Sequence, residues 1–207
     1  MPRSNTHLRS IPNQARSRET FARILQVAAE LLQEVGWDGF NTNLLGERVG
    51  VRVSAVYRYF PNKEAVVATL AEQLIADWDT WFDHLYEGDE ACEDIETAWC
   101  ESVDLFYESI QKRVGGVAVR HAMKMSPALQ EMEQADGEYL VGRLIDSLQR
   151  YIPQLKTSDA RRAAVLLMAS VEPIMDAALQ THSRTGRRLL EEMKKMHVEY
   201  LRLLRSS

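Results

Sequence analysis

The side chains of a short segment around residue 55 have types and spacing that could form a binding site. Val53, Ser54 and Ala55 are small, and Arg58 follows at helical spacing. Small side chains let a helix approach the floor of a DNA groove, and an arginine can donate two hydrogen bonds to a guanine or hold a phosphate. The segment therefore predicts contact with the major groove of a DNA duplex.

Hydroxyl and ammonium groups around this segment are suited to phosphate oxygens. Tyr57 and Tyr59 supply phenol hydroxyls, and Lys63 follows Asn62, which has the side chain of a helix cap. The free N–H groups in a first helical turn attract anions, so a lysine beside them can clamp a phosphate. The alternative is that Lys63 lies on an ordinary solvated surface.

Two short helices joined by a glycine turn must position these groups. Asn41 or Thr42 can cap the first helix, because either side chain accepts a hydrogen bond from a free backbone N–H. Gly50 can end it, since glycine enters the left-handed conformation without a steric penalty. Apolar residues at helical spacing form the buried side of the first helix: Leu44, Leu45 and Val49. This is the layout of a helix-turn-helix, whose second helix enters the major groove.

A wider set of residues has the spacing of a known DNA-binding domain. The set comprises Phe21, Ala28, Leu31, Leu32, Gly36, Thr42, Leu45, Gly50, Val51, Tyr57, Tyr59, Phe60, Asn62, Lys63 and Glu64. On these residues the chain resembles the TetR family of bacterial transcriptional regulators over about residues 17–70. The resemblance implies phosphate contacts at Thr42, Tyr57, Tyr59 and Lys63. It implies contacts with bases or the nearby backbone at Asn43, Val53, Ser54, Ala55 and Arg58.

Two positions depart from the pattern of that family. Gly46 replaces the usual alanine, which loosens the first short helix. Arg52 replaces the frequent serine, so the recognition helix lacks its usual cap, and Arg52 is expected either to contact a phosphate or to be solvated. Val53 and Ala55 can offer bases only apolar contact, for instance to a thymine methyl group.

Composition and charge agree with a soluble regulator. Hydrophobic residues make up 45% of the 207 residues, and we expect no membrane span, no signal peptide and a cytoplasmic location. Residues 1–63 carry nine Lys or Arg and five Asp or Glu, whereas residues 64–207 carry sixteen and twenty-five. Positive charge is thus concentrated around the helix-turn-helix. The two cysteines predict neither a disulfide framework nor a zinc site, and we predict no metal and no cofactor.

The sequence predicts an all-α chain of about nine helices with the two-domain plan that the resemblance implies. Residues 1–16 form a basic arm with Arg3, Arg9 and Arg16, which either reaches the minor groove or is disordered. Residues 17–63 form a three-helix helix-turn-helix domain, and residues 64–207 form a helical bundle for ligand binding and dimerisation. Expected helices in the chain are 17–35, 62–87, 92–113, one ending near 125, 126–151, 158–182 with a kink at Pro173, and 187–205 after Gly186.

The bundle carries aromatic and methionine side chains that could form a ligand pocket with a few polar anchors. We predict that an aromatic or lipophilic ligand contacts Trp78, Phe82, Trp99, Val103, Phe106, Tyr107, His121, Met125, Met168 and Glu172. Core packing alone is the alternative for any one of these residues. Glu172 could favour a cationic group or lie on the surface.

The last two helices are apolar on too many sides to face water alone. Pairing with a second copy would make a four-helix interface, as the resemblance implies, and we assign to it Val165, Leu189, Met193, Met196, His197, Tyr200 and Leu204. Packing within one chain is the alternative. The sequence thus predicts a homodimeric TetR-like repressor that a small ligand releases from a palindromic operator. An enzyme or a helical adaptor is the alternative class, although no nucleotide-binding or metalloprotease motif occurs.

Overall fold

The computed structural model describes residues 8–10, 12, 14–87 and 91–206. The described residues form nine helices and no strand, which confirms the predicted all-α class. In chain order the helices are α1 Ala15–Gly39, α2 Thr42–Val49, α3 Val53–Tyr57, α4 Lys63–Tyr86, α5 Ile95–Lys112, α6 Gly116–Met123, α7 Pro127–Tyr151, α8 Thr157–Gln180 and α9 Ser183–Ser206.

The chain divides into two compact units. The N-terminal unit comprises the chain up to Ala76 together with Ile110–Gln134, and the C-terminal unit comprises Asp77–Ser109 and Ala135–Ser207. This division differs from the predicted boundary at residue 63. The boundaries fall inside the long helices α4, α5 and α7, so no end of a helix marks them in the sequence.

The N-terminal unit is built on α1. Its buried side consists of residues at helical spacing: Ile24, Leu25, Ala28, Leu31 and Leu32. Gly36 has a φ of 66°, so the helix is interrupted there, near the expected end at residue 35. Gly115, just before α6, has a φ of 72°, and a Cβ on it would lie 2.5 Å from the carbonyl oxygen of Ala29. The turn before α6 therefore packs against α1 through a position that requires glycine.

The C-terminal unit buries apolar residues of α5, α7, α8 and α9 around one core. The structure corrects the expected start of the last helix, because α9 begins at Ser183 and Gly186 lies in its first turn. A Cβ at Gly186 would lie 2.3 Å from the carbonyl oxygen of Ala178, so this glycine marks a close crossing with α8. Pro173 lies inside α8, whose helix continues to Gln180.

Helix α8 bears on the expectation that no apolar run approaches the length of a membrane span. By length and composition alone, α8 is long and apolar enough to cross a membrane. Core helices of soluble proteins share this length and composition, and α8 is partly buried within the chain. By itself, α8 is therefore weak evidence for a membrane span.

Candidate nucleic-acid interface

Local capping chemistry fixes α2 and the turn that follows it. Asn41, and not Thr42, caps α2, because its Oδ1 accepts from the backbone N–H of Leu44 at 2.9 Å. Gly50 ends α2 with a φ of 78°, and its N–H donates to the carbonyl oxygens of Gly46 and Glu47. Arg52 occupies the N-cap position of α3, and its side chain makes no capping hydrogen bond, as the sequence predicts.

The outer side of α3 carries the predicted groove-facing residues. Ser54 and Arg58 are exposed, Tyr57 is 38% exposed, and Val53 and Ala55 are half-buried. The side chains of Asn43 and Arg52, which are also predicted to contact DNA, are exposed as well. Val56 on the opposite side is fully buried. The short helix therefore presents small side chains, a phenol and a guanidinium outward while a single valine anchors it to the core.

A hydrogen bond between the two short helices orients Tyr57. The hydroxyl of the buried Thr42 donates to the Tyr57 hydroxyl oxygen over 3.0 Å. A phenol that accepts through its oxygen keeps its own O–H available as a donor. Thr42 thus acts on the candidate interface by aiming the Tyr57 hydroxyl, which is free to donate to an acceptor such as a phosphate oxygen.

Tyr59 lies in the core rather than on the outer surface where the sequence analysis placed it. Its side chain is 3% exposed, its ring packs edge-on against Phe21, and its hydroxyl donates to the carbonyl oxygen of Ser17 at 3.4 Å. The physical reason is that α3 ends at Tyr57, so helical spacing no longer determines the direction of residue 59.

Lys63 is held by the end of α1. Its ammonium donates to the carbonyl oxygen of Trp37 at 3.1 Å and lies 3.9 Å from the centroid of the Trp37 ring. Asn62 caps α4, since its Oδ1 accepts from the N–H of Ala65 at 2.8 Å. A lysine ammonium has three N–H donors. Lys63 is therefore fixed beside the first turn of α4 with donors left for a phosphate.

The predicted basic arm lies mostly outside the described residues, including Arg3. Arg9 is described and contacts the end of α3, and α1 begins at Ala15, within the range assigned to the arm. Arg16 therefore belongs to α1, where it is exposed.

The structure brings together most of the predicted ligand residues that lie in the C-terminal unit. Trp99, Val103 and Tyr107 are buried in its core, and three more pack against that core: Phe82, Phe106 and Met168. The ring centroids of Trp78 and Phe106 are 4.2 Å apart. Glu172 is exposed. His121 and Met125 belong to the N-terminal unit, where both are exposed.

A buried chain of hydrogen bonds runs through His197. The indole N–H of Trp99 donates to His197 Nδ1 at 3.1 Å, and His197 Nε2 lies 2.8 Å from the Ser170 hydroxyl oxygen. Because an indole can only donate, Nδ1 must be unprotonated and Nε2 must carry the proton. Burial lowers the pKa of His197 below the ordinary histidine value. The geometry thus holds His197 neutral between α5, α8 and α9.

The predicted dimer residues divide into two groups in the structure. Met193 and His197 are buried within their own chain, and Tyr200 and Leu204 are half-buried. The other three are exposed: Val165, Leu189 and Met196. Two exposed residues were missed, Leu166 and Leu203, the latter 64% exposed. The seven-residue spacing of 189, 196 and 203 was the signal that could have identified Leu203.

Sequence reasoning also missed a charged cluster in the C-terminal unit. Arg143 of α7 pairs with two acids of α4 and with a third acid just after α4 ends, and its guanidinium lies 4.2 Å from the Phe82 ring centroid. The acids are Asp79, Asp83 and Glu87. Burial, with Asp79 nearby, raises the pKa of Asp136 to about 6. The four-residue spacing of the acids could have indicated one charged helix face. Among the described residues, no group of three or more His, Cys, Asp or Glu could hold a metal ion.

Comparison with known protein families agrees with this geometry. The model described as "Bacterial regulatory proteins, tetR family" matches residues 24–70, and the model described as "Tetracyclin repressor-like, C-terminal domain" matches residues 94–201. The second match spans more than half of the chain, and the first contains α2 and α3.

One curated relative and two solved structures match over most of their length. The chain is 25% identical over 181 residues to the tetracycline repressor protein class A from transposon 1721 of Escherichia coli, covering 79% of this chain and 81% of that protein. A transcriptional regulator from Rhodococcus sp. Rha1 has a TM-score of 0.70 at 19% identity, over 87% of this chain and 94% of that one. The SmeT–triclosan complex has a TM-score of 0.68 at 20% identity, over 88% and 90%.

Proposed function

The chain belongs to the TetR family of bacterial regulatory proteins and is a DNA-binding transcriptional regulator, and we propose that it is a homodimeric repressor released from a palindromic operator by a small lipophilic or aromatic ligand. Such a regulator works in the cytoplasm, where the bacterial chromosome lies. The observation that carries the proposal is the outer side of α3, where Ser54, Tyr57 and Arg58 are exposed together.

DNA recognition divides between groups that hold phosphates and groups that face bases. Tyr57, oriented by Thr42, and Lys63, held by Trp37, are fixed donors for phosphate oxygens. Ser54 and Arg58 face the bases, and Arg58 supplies a bidentate donor for guanine. The phosphate contacts set the position of α3 on the duplex, and the base contacts select the sequence.

The small number of base pairs that one copy of α3 can contact supports a dimer. The helix has five residues, so it can touch only a few base pairs, whereas two copies related by a dyad read half-sites about 34 Å apart. The exposed apolar residues of α8 and α9 support a surface for a second copy. They are Val165, Leu166, Leu189, Met196 and Leu203. We propose that these residues form the centre of a four-helix interface.

Charge insertion into that surface tests the dimer. Met196→Glu places a carboxylate on the exposed side of α9, and we expect it to convert the protein to monomers that bind a palindrome poorly. Val114→Glu makes the same kind of change at another exposed apolar residue and should leave the dimer intact. The measurement is the molar mass in solution by light scattering. A Met196→Glu protein with the molar mass of wild type would contradict the proposed interface.

The ligand site is proposed among the aromatic side chains of the C-terminal unit. Trp78, Phe82 and Phe106 are only partly buried, and Trp78 and Phe106 are in ring contact. A partly buried aromatic set offers apolar contact to a flat or lipophilic molecule. The SmeT–triclosan complex has the same fold, and its lipophilic aromatic ligand supports this proposal.

Release from DNA would occur by a population shift. A ligand that binds better to the conformation unable to bind the operator draws the protein into that conformation. A coupling free energy of about 1–3 kcal/mol would weaken operator binding by roughly 5- to 150-fold. The helix α4 continues from the N-terminal unit into the C-terminal unit, which provides a covalent connection for such coupling.

Two measurements test the repressor proposal. Duplexes selected from random-sequence DNA should share a palindrome. Triclosan or tetracycline, if it quenches the tryptophan fluorescence of the protein, should also weaken the gel shift with that palindrome. Selection that returns no common sequence would overturn the operator claim. A ligand that saturates the fluorescence change and leaves operator affinity unchanged would overturn the release claim.

A further inference from the structure

The segment before α1 is attached to the end of the recognition helix α3. The backbone N–H of Arg9 donates to the carbonyl oxygen of Tyr59 at 2.8 Å, and its guanidinium Nη1 donates to the carbonyl oxygen of Tyr57 at 3.3 Å. Nearby, the Tyr59 hydroxyl donates to the carbonyl oxygen of Ser17. Residues far apart in the chain thus meet at the end of the five-residue helix.

The end of α3 needs such support because the helix is short. Its last internal bonds run from the N–H of Arg58 to Ser54 and from the N–H groups of Tyr59 and Phe60 to Val56. The final carbonyl groups of a helix have no partner within it. Isolated helices of this length are unstable in water, so contacts from outside determine whether α3 keeps its form. A cation also interacts favourably with the negative end of the helix dipole.

We propose that Arg9 is a positioning residue for DNA recognition, which holds the C-terminal end of α3 from outside the helix. The role rests on the DNA-binding function of the chain. Tyr57 and Arg58 occupy the end that Arg9 holds, so a shift of that end moves both of the donors that face the duplex. Arg9 therefore acts through the backbone of α3 and does not need to touch the DNA.

Three substitutions separate this role from a simple contribution of charge. Arg9→Ala removes both the donor and the charge, whereas Arg9→Gln removes the charge and keeps an N–H donor for the Tyr57 carbonyl. Arg23→Ala removes the same charge from an exposed position on α1 and is the matched control. The probe is a duplex selected from random-sequence DNA by the wild-type protein, with affinity measured at several salt concentrations.

The positioning role predicts a specific pattern of affinities. Arg9→Ala should weaken binding by roughly 5- to 150-fold, the worth of one hydrogen bond in each of the two copies of a dimer. Arg9→Gln should recover most of that loss, and the salt dependence of binding should stay as in wild type. The proposal is overturned if Arg9→Ala binds like the Arg23→Ala control. It is also overturned if Arg9→Gln is as weak as Arg9→Ala and the salt slope falls by about 0.9 per site, because that pattern indicates a phosphate contact.

A measurement without DNA tests the same contact directly. In the free protein, the amide protons of Arg58, Tyr59 and Phe60 should exchange faster with solvent in Arg9→Ala than in wild type, because the end of α3 opens more often. Arg9→Gln should restore their protection. Equal exchange in all three proteins would overturn the positioning role of Arg9. It would leave the DNA-binding function standing, because Arg58→Ala tests that function separately.

Discussion

The two units of the molecule use polar side chains in opposite ways. In the N-terminal unit, the polar residues of α3 are exposed, and the helix is held by backbone groups and one buried valine. In the C-terminal unit, polar residues of α5 pair with residues of α9 in order along both helices. Exposed polar groups are available to a partner, whereas paired ones fix how two helices fit together.

The pairs between α5 and α9 run in opposite chain directions. Glu96 pairs with Arg202 and Arg205, Trp99 bonds to His197, Asp104 pairs with Lys194, and Glu108 pairs with Arg187. Surface ion pairs add little stability individually. They act together with the buried Leu190, Met193 and Leu201, and the residues of α9 left exposed are Leu189, Met196 and Leu203. The paired polar residues and the core of this unit thus agree on which apolar surface α9 presents.

The largest effect should come from removing the exposed guanidinium of α3. Arg58→Ala should weaken operator binding by about 30-fold or more, because a bidentate base contact is worth about 1–3 kcal/mol and a dimer has two copies. Arg48→Ala is the control, since Arg48 is exposed and pairs with Glu34 at 2.7 Å. Gel shifts would show the difference. Equal binding by both variants would mean that α3 does not read the DNA.

A second test concerns the close crossing of α8 and α9. Gly186→Ala should lower the free energy of unfolding by about 1–3 kcal/mol, because the new Cβ overlaps a backbone carbonyl and the helices must separate. Gly142→Ala in α7 has no neighbour within 4 Å and should instead stabilise the protein by about 0.5–1 kcal/mol. Urea unfolding measures both. If the two substitutions shift stability in the same direction, the described crossing is incorrect.

His197 should matter for stability through the acceptor that it offers. His197→Leu leaves the buried Trp99 N–H without a partner and should cost about 1–3 kcal/mol. His197→Asn keeps an acceptor at the position of Nδ1 and should cost less. Urea unfolding at neutral pH compares them. A leucine variant as stable as the asparagine variant would show that this hydrogen bond contributes nothing.

The smallest expected effect is a change in pH dependence. Because burial lowers the pKa of folded His197, the unfolded chain takes up that proton more readily, and the free energy of unfolding should fall as pH drops below about 6.5. Asp136 acts in the opposite direction. Its raised pKa of about 6 adds stability as pH falls from that value toward its unfolded pKa.

Two variants separate these contributions to the pH dependence. Between pH 7 and pH 5, the free energy of unfolding should fall less in His197→Asn than in wild type, because the histidine that titrates in this range is gone. Over the same range it should fall more in Asp136→Asn than in wild type. The measurement is urea unfolding at a series of pH values. If both variants follow the wild-type curve, neither group titrates as its surroundings imply.

Local chemistry made part of the site predictable from the sequence. The cap at Asn41, the left-handed Gly50 and the cap at Asn62 each depend on neighbours within a few residues. The positions of Tyr59 and His197 depend on packing against α1 and on partners in α5 and α8, and periodicity could not supply those partners.

Contacts between residues far apart in the sequence explain the other differences between prediction and structure. Gly186 was interpreted as a chain break because a glycine at a close helix crossing has the same sequence signal as one that ends a helix. Arg9 was assigned to a flexible arm, since its contact spans 48 residues and leaves no periodic pattern. The fold class followed from helical spacing throughout the chain, whereas each of these contacts requires the tertiary structure.

The stoichiometry on DNA tests the central claim most directly. Native mass spectrometry would weigh the complex of the full chain with a selected palindrome and with one half-site of it. We predict two chains on the palindrome and at least tenfold weaker binding to the half-site, since both copies of α3 contribute. One chain bound per duplex, with equal affinity for palindrome and half-site, would contradict a dimeric operator-binding regulator.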